Sequence, residues 1–227
     1  MVRISVIVPV YEEQERINDF LCSVLDVLDL TRDEIIVVDG DPRNSTLKVI
    51  KTSGIRTATS EKGRAVQMNA GAAAAKGRML VFVHADTLLP QDAAVLIQQA
   101  LKEKDAAAGA FSLGIVSSRI SLRFVALMAN LRSGWTRVPY GDQAIFVRSD
   151  IFHELGGFSN IPIMEDLEFM RRLKSLGHRI VILPQKAWTS SRRWDKEGVL
   201  RGTLRNWLIR TFYHLGVSPE KLMKYYK

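Results

Sequence analysis

The chain predicts an α/β fold: a sheet, parallel in its first half, with helices on both faces. Three observations carry this. Short β-branched runs recur along the first half, amphipathic segments separate them, and the links between them are short. The 227 residues are 47% apolar and 25% charged, ordinary globular usage that excludes disorder, collagen and low-complexity classes. One cysteine, Cys22, excludes an intramolecular disulfide framework and a cysteine-built zinc site.

Each element has its own signal. Ile4–Val8 is β-branched and ends at Pro9, so it reads as a buried strand. Ile17, Phe20, Leu21, Val24, Leu25 and Leu28 recur at helical spacing. Glu34–Val38 is a second strand, ended by the turn-forming run Asp39-Gly40-Asp41-Pro42. Ser45–Thr52 reads as helix and Gly54–Ala58 as strand. A loop with Lys62, Gly63 and Arg64 leads into an alanine-rich helix, Ala65–Ala75. Met79–Val83 is a fourth strand, followed by His84-Ala85-Asp86, and Pro90 opens a helix to about Leu101. In the second half, Ala108–Val116, Ala144–Val147 and Arg179–Leu183 read as strands. Ser121–Leu131, a short segment capped by Ser149, Glu165–Leu176, Gly198–Leu215 and Pro219–Tyr226 read as helices. No repeat or linker appears, so the expectation is one domain. Residues 1–105 form a nucleotide-type half, 106–195 a substrate-type half, and 196–227 basic amphipathic helices.

Parallel α/β sheets gather ligands beyond the carboxyl ends of their strands. Three such ends carry acids here: Pro9–Glu13, Asp39–Asp41 and His84–Asp86. Asp also serves as a plain turn residue, but three rims with carboxylates point to a site. Asp86, directly after a buried strand, suits a hard divalent cation, magnesium or manganese, shared with phosphate oxygens. His84 is a second ligand, a ribose contact, or a satisfied strand-end group. Glu165 and Asp166 open a helix; the pair is either a dipole complement or the source of a general base. A lone base facing an anomeric carbon implies inverting displacement with no covalent intermediate. Lys62, Arg64, Arg192 and Arg193 are candidates to meet charge on a departing diphosphate, with Arg193 beside Trp194 preferred.

Competing classes lack their signatures. Residues 9–15 have no glycine-rich dinucleotide loop, no nucleophile elbow appears, and nothing marks a helix-turn-helix, so no nucleic acid is expected.

The segments SVIVPVYEE, IIVVDGD, KGRAVQMNAGAAAAKGRMLVFVHADT, YGDQAIFVR and GGFSNIPIMEDLEFMRRLKSLG together resemble the family-two glycosyltransferases, which have the GT-A fold. The match runs over roughly residues 2–195. The closing SSRRWDKEG and the tail RGTLRNWLIRTFYHLGVSPEKL look like a small bacterial subgroup of stand-alone enzymes. The resemblance implies an inverting, metal-dependent transferase using a nucleotide-sugar donor, commonly UDP-linked. It implies that Pro9, Tyr11 and Glu13 line the nucleoside pocket, that Asp39 bonds the base, and that Arg64 lies near base or diphosphate. It makes Asp86 the metal-binding acid and Asp166 the general base, with Gly141 and Asp142 near the sugar or acceptor. Arg193 and Trp194 stand in for the Gln-x-x-Arg-Trp element of polymerising relatives. His84 replaces the first Asp of the Asp-x-Asp motif, Gly40 replaces a frequent Asp, and Gln185 is off the polymerase spacing, so no processive synthase is predicted. A sugar-phosphate nucleotidylyltransferase and a non-catalytic nucleotide- or glycan-binding protein are the alternatives.

The net charge of +8 sits mostly in the tail, with nine Lys/Arg against three Asp/Glu from Arg192 to Lys227. This suggests an anionic partner, a membrane surface or a phosphorylated substrate, unless the helix is only a solvated face. Val199, Leu200, Leu204, Trp207, Leu208 and Leu215 form an apolar stripe with arginines beside it. The stripe either docks onto the protein's own core, the favoured reading, or lies on a membrane. A lipid-linked acceptor would suit both. No signal peptide or spanning segment is visible, so the expected place is the cytoplasm, with peripheral attachment at the inner face of the membrane as its extension.

Overall fold

A computed structural model describes residues 3–103 and 106–226. Among the described residues, eight strands form one mixed sheet in the order β3-β2-β1-β4-β7-β6-β8-β5. The first half contributes β1 (Ile4–Val10), α1 (Ile17–Leu25), β2 (Glu34–Asp39), β3 (Arg56–Thr59), α2 (Arg64–Ala74), β4 (Met79–Phe82), β5 (Thr87–Leu88) and α3 (Ala93–Gln98). The second half contributes β6 (Ala108–Val116), α4 (Ile120–Thr136), β7 (Phe146–Arg148), α5 (Ser149–Glu154), α6 (Glu165–Ser175) and β8 (Ile180–Ser190). Three helices close the chain: α7 (Arg192–Glu197), α8 (Val199–His214) and α9 (Pro219–Tyr226).

Strands β1 to β4 pair in parallel, as their near-continuous apolar runs require when both faces are covered. Alternate residues of β1 point to opposite faces. Ile4, Val6, Val8 and Val10 pack on α1 and α3, while Ile7 faces α2. The second core layer holds an aromatic cluster of Phe82, Phe152, Phe158 and Phe169, with ring centroids 4.8–5.2 Å apart. Antiparallel β7 joins β4 to β6, so strands of both halves share one sheet.

Several expectations shift. Ser45–Thr52 is no helix; only a 3-10 turn, Leu47–Val49, forms there. The backbone amides of Thr46 and Leu47 instead donate to the Asp39 carboxylate, at 3.2 and 3.4 Å. Ser149 is the first residue of α5 rather than its cap, and its hydroxyl faces His153. The last strand runs seven residues past Leu183, to Ser190. Its pairing with β6 slips between Phe111 and Ser112, where the extra residues Pro184 and Gln185 are taken up. The helix after Ser121 extends to Thr136.

Away from the strand ends that carry the site, the sheet is tied at its other end by Glu34. Its Oε1 accepts from Ser5 Oγ and Lys76 N–H, both at 2.6 Å, and its Oε2 from Arg56 at 2.5 Å. Burial opposes the charge, but these donors overcome it and hold Glu34 below the usual carboxylate range.

Helix α2 lies hard on the sheet at Gly71. A Cβ there would stand 2.4 Å from Ile7 Cγ2. Gly71→Ala gains about 1 kcal/mol of helix propensity but overpacks the core by about 1–3 kcal/mol. We expect net destabilisation of about 1 kcal/mol in urea unfolding, with α2 displaced outward.

Candidate active site

The carboxyl ends of β1 and β4 open onto a cavity of about 400 Å³. Pro9 begins the opening. Register pairing of β1 with β4 stops at Ile7–Phe82, and Pro9 has no N–H to extend it. Beyond it, Tyr11 and Glu13 line one wall. His84 and Asp86 follow β4 on the floor, and Tyr140, Asp142, Met164 and Asp166 line the opposite wall. Arg193 and Trp194 of α7, Ile209 and Arg210 of α8, and Tyr226 of α9 close it from the carboxyl-terminal side.

Of the residues singled out in the sequence, Pro9, Tyr11, Glu13, Arg64, His84, Asp86, Asp142, Asp166, Arg193 and Trp194 therefore meet in one cavity. The others are placed differently. Gly141 borders it and donates its N–H to Asp166 Oδ2 at 2.5 Å. A Cβ on Gly141 would lie 3.0 Å from His84 Nε2 and 3.2 Å from Asp166 Oδ2, so only glycine lets the three groups approach this closely. Lys62 sits outside the cavity, its ammonium 3.7 Å above the Tyr11 ring. Asp39 is fully buried behind the wall and does not line the cavity. Its carboxylate is taken up by the amides of Asp41, Thr46 and Leu47. Glu165 points away, buried, with Oε1 3.0 Å from Arg64 Nε.

Two buried glutamines shape the rim. Gln67 Nε2 donates to the carbonyls of Val10 and Val38, at 2.7 and 2.9 Å, where β1 and β2 part. A Cβ on Gly40 would come within 2.9 Å of this side chain, which explains glycine at that turn. Gln143 donates to Phe111 O at 2.9 Å and to Ser133 Oγ at 3.2 Å, and accepts from the Tyr140 N–H. It pins the Tyr140–Asp142 loop to β6.

The electrostatics are unbalanced. Burial raises the pKa of Glu13, and the Asp86 charge adds to it. Burial also raises Asp86, against the pull of Arg193. Asp142 is pushed up to about 6 by burial and by Asp166. His84 is driven down to about 3 by burial and by Arg64 and Arg193, so it is neutral at pH 7. Arg192, rather than the preferred Arg193, pairs with Asp86 Oδ2, at 3.2 Å. Arg193 instead lies over the Tyr226 ring, 5.1 Å from its centroid.

Among the described residues no group of three His, Cys, Asp or Glu side chains is placed to hold a metal alone. Magnesium and manganese need only one or two protein oxygens when phosphates supply others. Asp86 provides one. Glu13 lines the same cavity and offers a second hard oxygen, Oε2, which is buried, accepts no hydrogen bond, and lies 3.7 and 3.9 Å from the Arg16 and Arg192 guanidinium groups. The donor set fits such an ion.

The sequence singled out no residue of α8 or α9 for this cavity, and it missed Tyr140, Gln67 and Gln143. The glutamines could have been found only as polar residues inside otherwise apolar helical or strand-flanking segments.

The model of the family "Glycosyl transferase family 2" matches residues 5–159. A search of curated proteins finds no match. Among solved structures, the mannosyltransferase PcManGT from Pyrobaculum calidifontis, in complex with GDP-Man and Mn2+, is 21% identical with a TM-score of 0.71. The alignment covers 94% of this chain and 61% of that one. S. aureus TarS in complex with UDP is 19% identical over 83% of this chain and 60% of that chain, with a TM-score of 0.67. TarS with UDP-GlcNAc is 18% identical over 83% and 58%, with a TM-score of 0.65. The chain thus spans about three fifths of the length of these solved chains, and the likeness is one of fold: both sets carry the GT-A architecture.

The raised Asp142 carboxyl has a measurable consequence. Its unfolded form ionises near 3.8 and its folded form near 6, so ionisation costs stability as pH rises from 4 to 6. Asp142→Asn removes that cost. We expect the variant to match the wild type near pH 3.5 and to exceed it increasingly up to pH 6.5 in urea unfolding. A constant difference across that range would contradict the assignment.

Proposed function

The chain belongs to glycosyl transferase family 2, and from that premise we propose that it transfers a sugar from a nucleoside-diphosphate donor to an acceptor hydroxyl, with inversion. The observation that carries this reading is that Asp86 and Asp166, eighty positions apart, line the same cavity at the strand ends.

In this reading the donor's nucleoside lies along Pro9 and Tyr11, and its diphosphate lies toward Asp86, Arg64 and Arg193. A divalent cation held by Asp86, with Glu13 beside it, would supply positive charge to the diphosphate as it departs. The family resemblance favours a uridine nucleotide. With Asp39 taken up by its own loop, recognition rests on the diphosphate more than on the base.

Asp166 serves as the base. Its Oδ2 is fixed by the Gly141 N–H and its Oδ1 accepts from the Leu167 N–H at 2.7 Å, so the carboxylate cannot swing away. The acceptor oxygen attacks the anomeric carbon from the face opposite the diphosphate. A carbon–oxygen bond to the acceptor forms, the bond to the phosphate oxygen breaks with its electron pair, and the hydroxyl proton goes to Asp166. Neutral His84 cannot repel the cationic groups around the diphosphate. Glu165 is a positioning residue: it holds Arg64 at the mouth of the cavity.

Asp166→Asn is expected to lower kcat by about 10²–10⁴-fold while leaving UDP or GDP binding intact. Asp86→Ala should abolish the manganese-dependent part of the thermal shift produced by the same nucleotides. Donor turnover by Asp166→Asn at the wild-type rate would reject the assignment. So would a complete lack of nucleotide-induced stabilisation in the wild type.

A further inference from the structure

A second cleft, of about 550 Å³, adjoins the first and shares Tyr140 and Arg210 with it. Arg132, Arg171, Lys174, Arg210 and His214 line it, and no carboxylate does among the described residues. Arg132 is the innermost cation. Its guanidinium stacks 3.5 Å from the Tyr140 ring centroid, and its Nε and Nη2 are buried without a hydrogen-bond partner. A buried guanidinium left with open donors is costly, and an oxyanion repays that cost with paired, charge-assisted bonds. The carboxylates that act on Arg132, Asp142 and Asp166, belong to the neighbouring cavity. Tyr140 is thus the partition between a basic cleft and the candidate base.

The same two helices that carry Arg132 and Arg210 expose an apolar face. On α4 the exposed residues Ile120, Phe124, Leu127, Met128, Leu131 and Trp135 fall on one side of the helix. On α8, Leu200, Leu204, Trp207, Leu208 and Phe212 do likewise, followed by exposed Leu215 just past its end. Trp135 is 90% exposed, Phe124 60% and Trp207 56%. The two helices touch. So large an apolar surface is abnormal for a protein surrounded by water alone. Exposed tryptophans on two touching helices that also carry arginines suit a bilayer interface with anionic headgroups.

We propose that α4 and α8 lie on an anionic bilayer and that the cation-lined cleft beside them takes the phosphoryl group of a membrane lipid. Charge complementarity selects the occupant: the charged groups of the cleft are cationic, with no carboxylate among the described residues, and Arg132 and Arg210 sit on the two helices that carry the apolar face. The inference rests on the glycosyl-transfer reading for one point alone, that a lipid so held is the acceptor presented past Tyr140 to Asp166.

The test is sedimentation with sucrose-loaded vesicles, without any donor nucleotide. Three compositions are compared: phosphatidylcholine alone, phosphatidylcholine with phosphatidic acid, and phosphatidylcholine with phosphatidylglycerol at matched surface charge. The wild type is expected to bind phosphatidic acid vesicles about tenfold more tightly than neutral ones, and more tightly than the phosphatidylglycerol set. The double variant Arg171→Gln/Lys174→Gln, at exposed positions, should lose the preference for phosphatidic acid but keep residual binding to both anionic sets. Trp135→Ser/Trp207→Ser should lose binding to all three with its melting temperature preserved. Failure of the wild type to sediment with any vesicle overturns the proposal. So does an unchanged preference in the cleft variant. Pyrophosphate binding in solution without vesicle association also overturns it, since the cleft would then serve a soluble phosphorylated molecule. Nucleotide-induced thermal shifts are measured separately, so a negative vesicle result leaves the donor reading standing and a negative nucleotide result leaves the membrane reading standing.

Discussion

The structure depends on keeping several carboxylates close together in a half-buried cleft. Glu13, Asp86, Asp142 and Asp166 all face one cavity. Like charges at short range in a low-dielectric site repel strongly, and burial adds its own cost. The fold meets part of this with fixed donors: Arg192 on Asp86 and the Gly141 amide on Asp166. It leaves the rest unmet. Glu13, Asp86 and Asp142 keep raised pKa values, and one buried Glu13 oxygen accepts no hydrogen bond. Any cation or hydrogen-bond donor that entered a site so arranged would stabilise it, the condition under which the proposed transfer runs.

The backbone around the cleft is shaped to hold that arrangement. Met164 takes a left-handed conformation, with φ 69°, immediately before α6. The sharp entry sends Glu165 behind the wall toward Arg64 and Asp166 into the cavity, so adjacent acids acquire different tasks. Ala144, with φ 48°, does the same after the Tyr140–Asp142 loop, where Gln143 locks the turn to β6. Non-glycine residues in this region carry strain and persist where surrounding contacts over-determine them. Both outliers flank the residues given catalytic or sugar-binding parts above.

How far the sequence foretold this differs by element. The buried strands β1, β2 and β4 were legible because parallel pairing demands continuous β-branched runs, and their ends placed Asp86 correctly at a rim. The full length of β8 was not, because Pro184 reads as a stop. The bulge opposite Phe111 and Ser112 absorbs it, a tertiary device with no local signature. The helix expected at Ser45–Thr52 failed because Asp39 captures the amides that would have opened it. That same capture removes Asp39 from the cavity. The choice of Asp166 over Glu165 rested on family resemblance, whereas Arg193 was picked out by its place beside Trp194. The pairing of Asp86 with Arg192 depends on how β8 turns into α7, which no spacing rule reports.

The carboxyl-terminal helix shows most plainly where periodicity stops informing. A stripe at helical spacing says that one face of a helix is apolar, and the usual inference turns that face inward. Helix α8 does the reverse. It docks through Gly202 and Ile209, where the backbone can approach Trp194 closely, and turns Leu204, Trp207, Leu208 and Phe212 outward. Helix α4 is similar: it buries Leu122 and Ser133 and presents Phe124, Leu127 and Trp135. Two adjacent helices inverted in the same sense argue against accident in either one. The hydrophobic effect penalises each exposed side chain in water, so the pattern is stable in evolution only if another surface covers it during function. The cavity holding the candidate base and the basic cleft share Tyr140 and Arg210, and Arg210 and Arg132 are carried by the same two helices that bear this apolar face, so the proposed bilayer and the candidate base are tied through those helices.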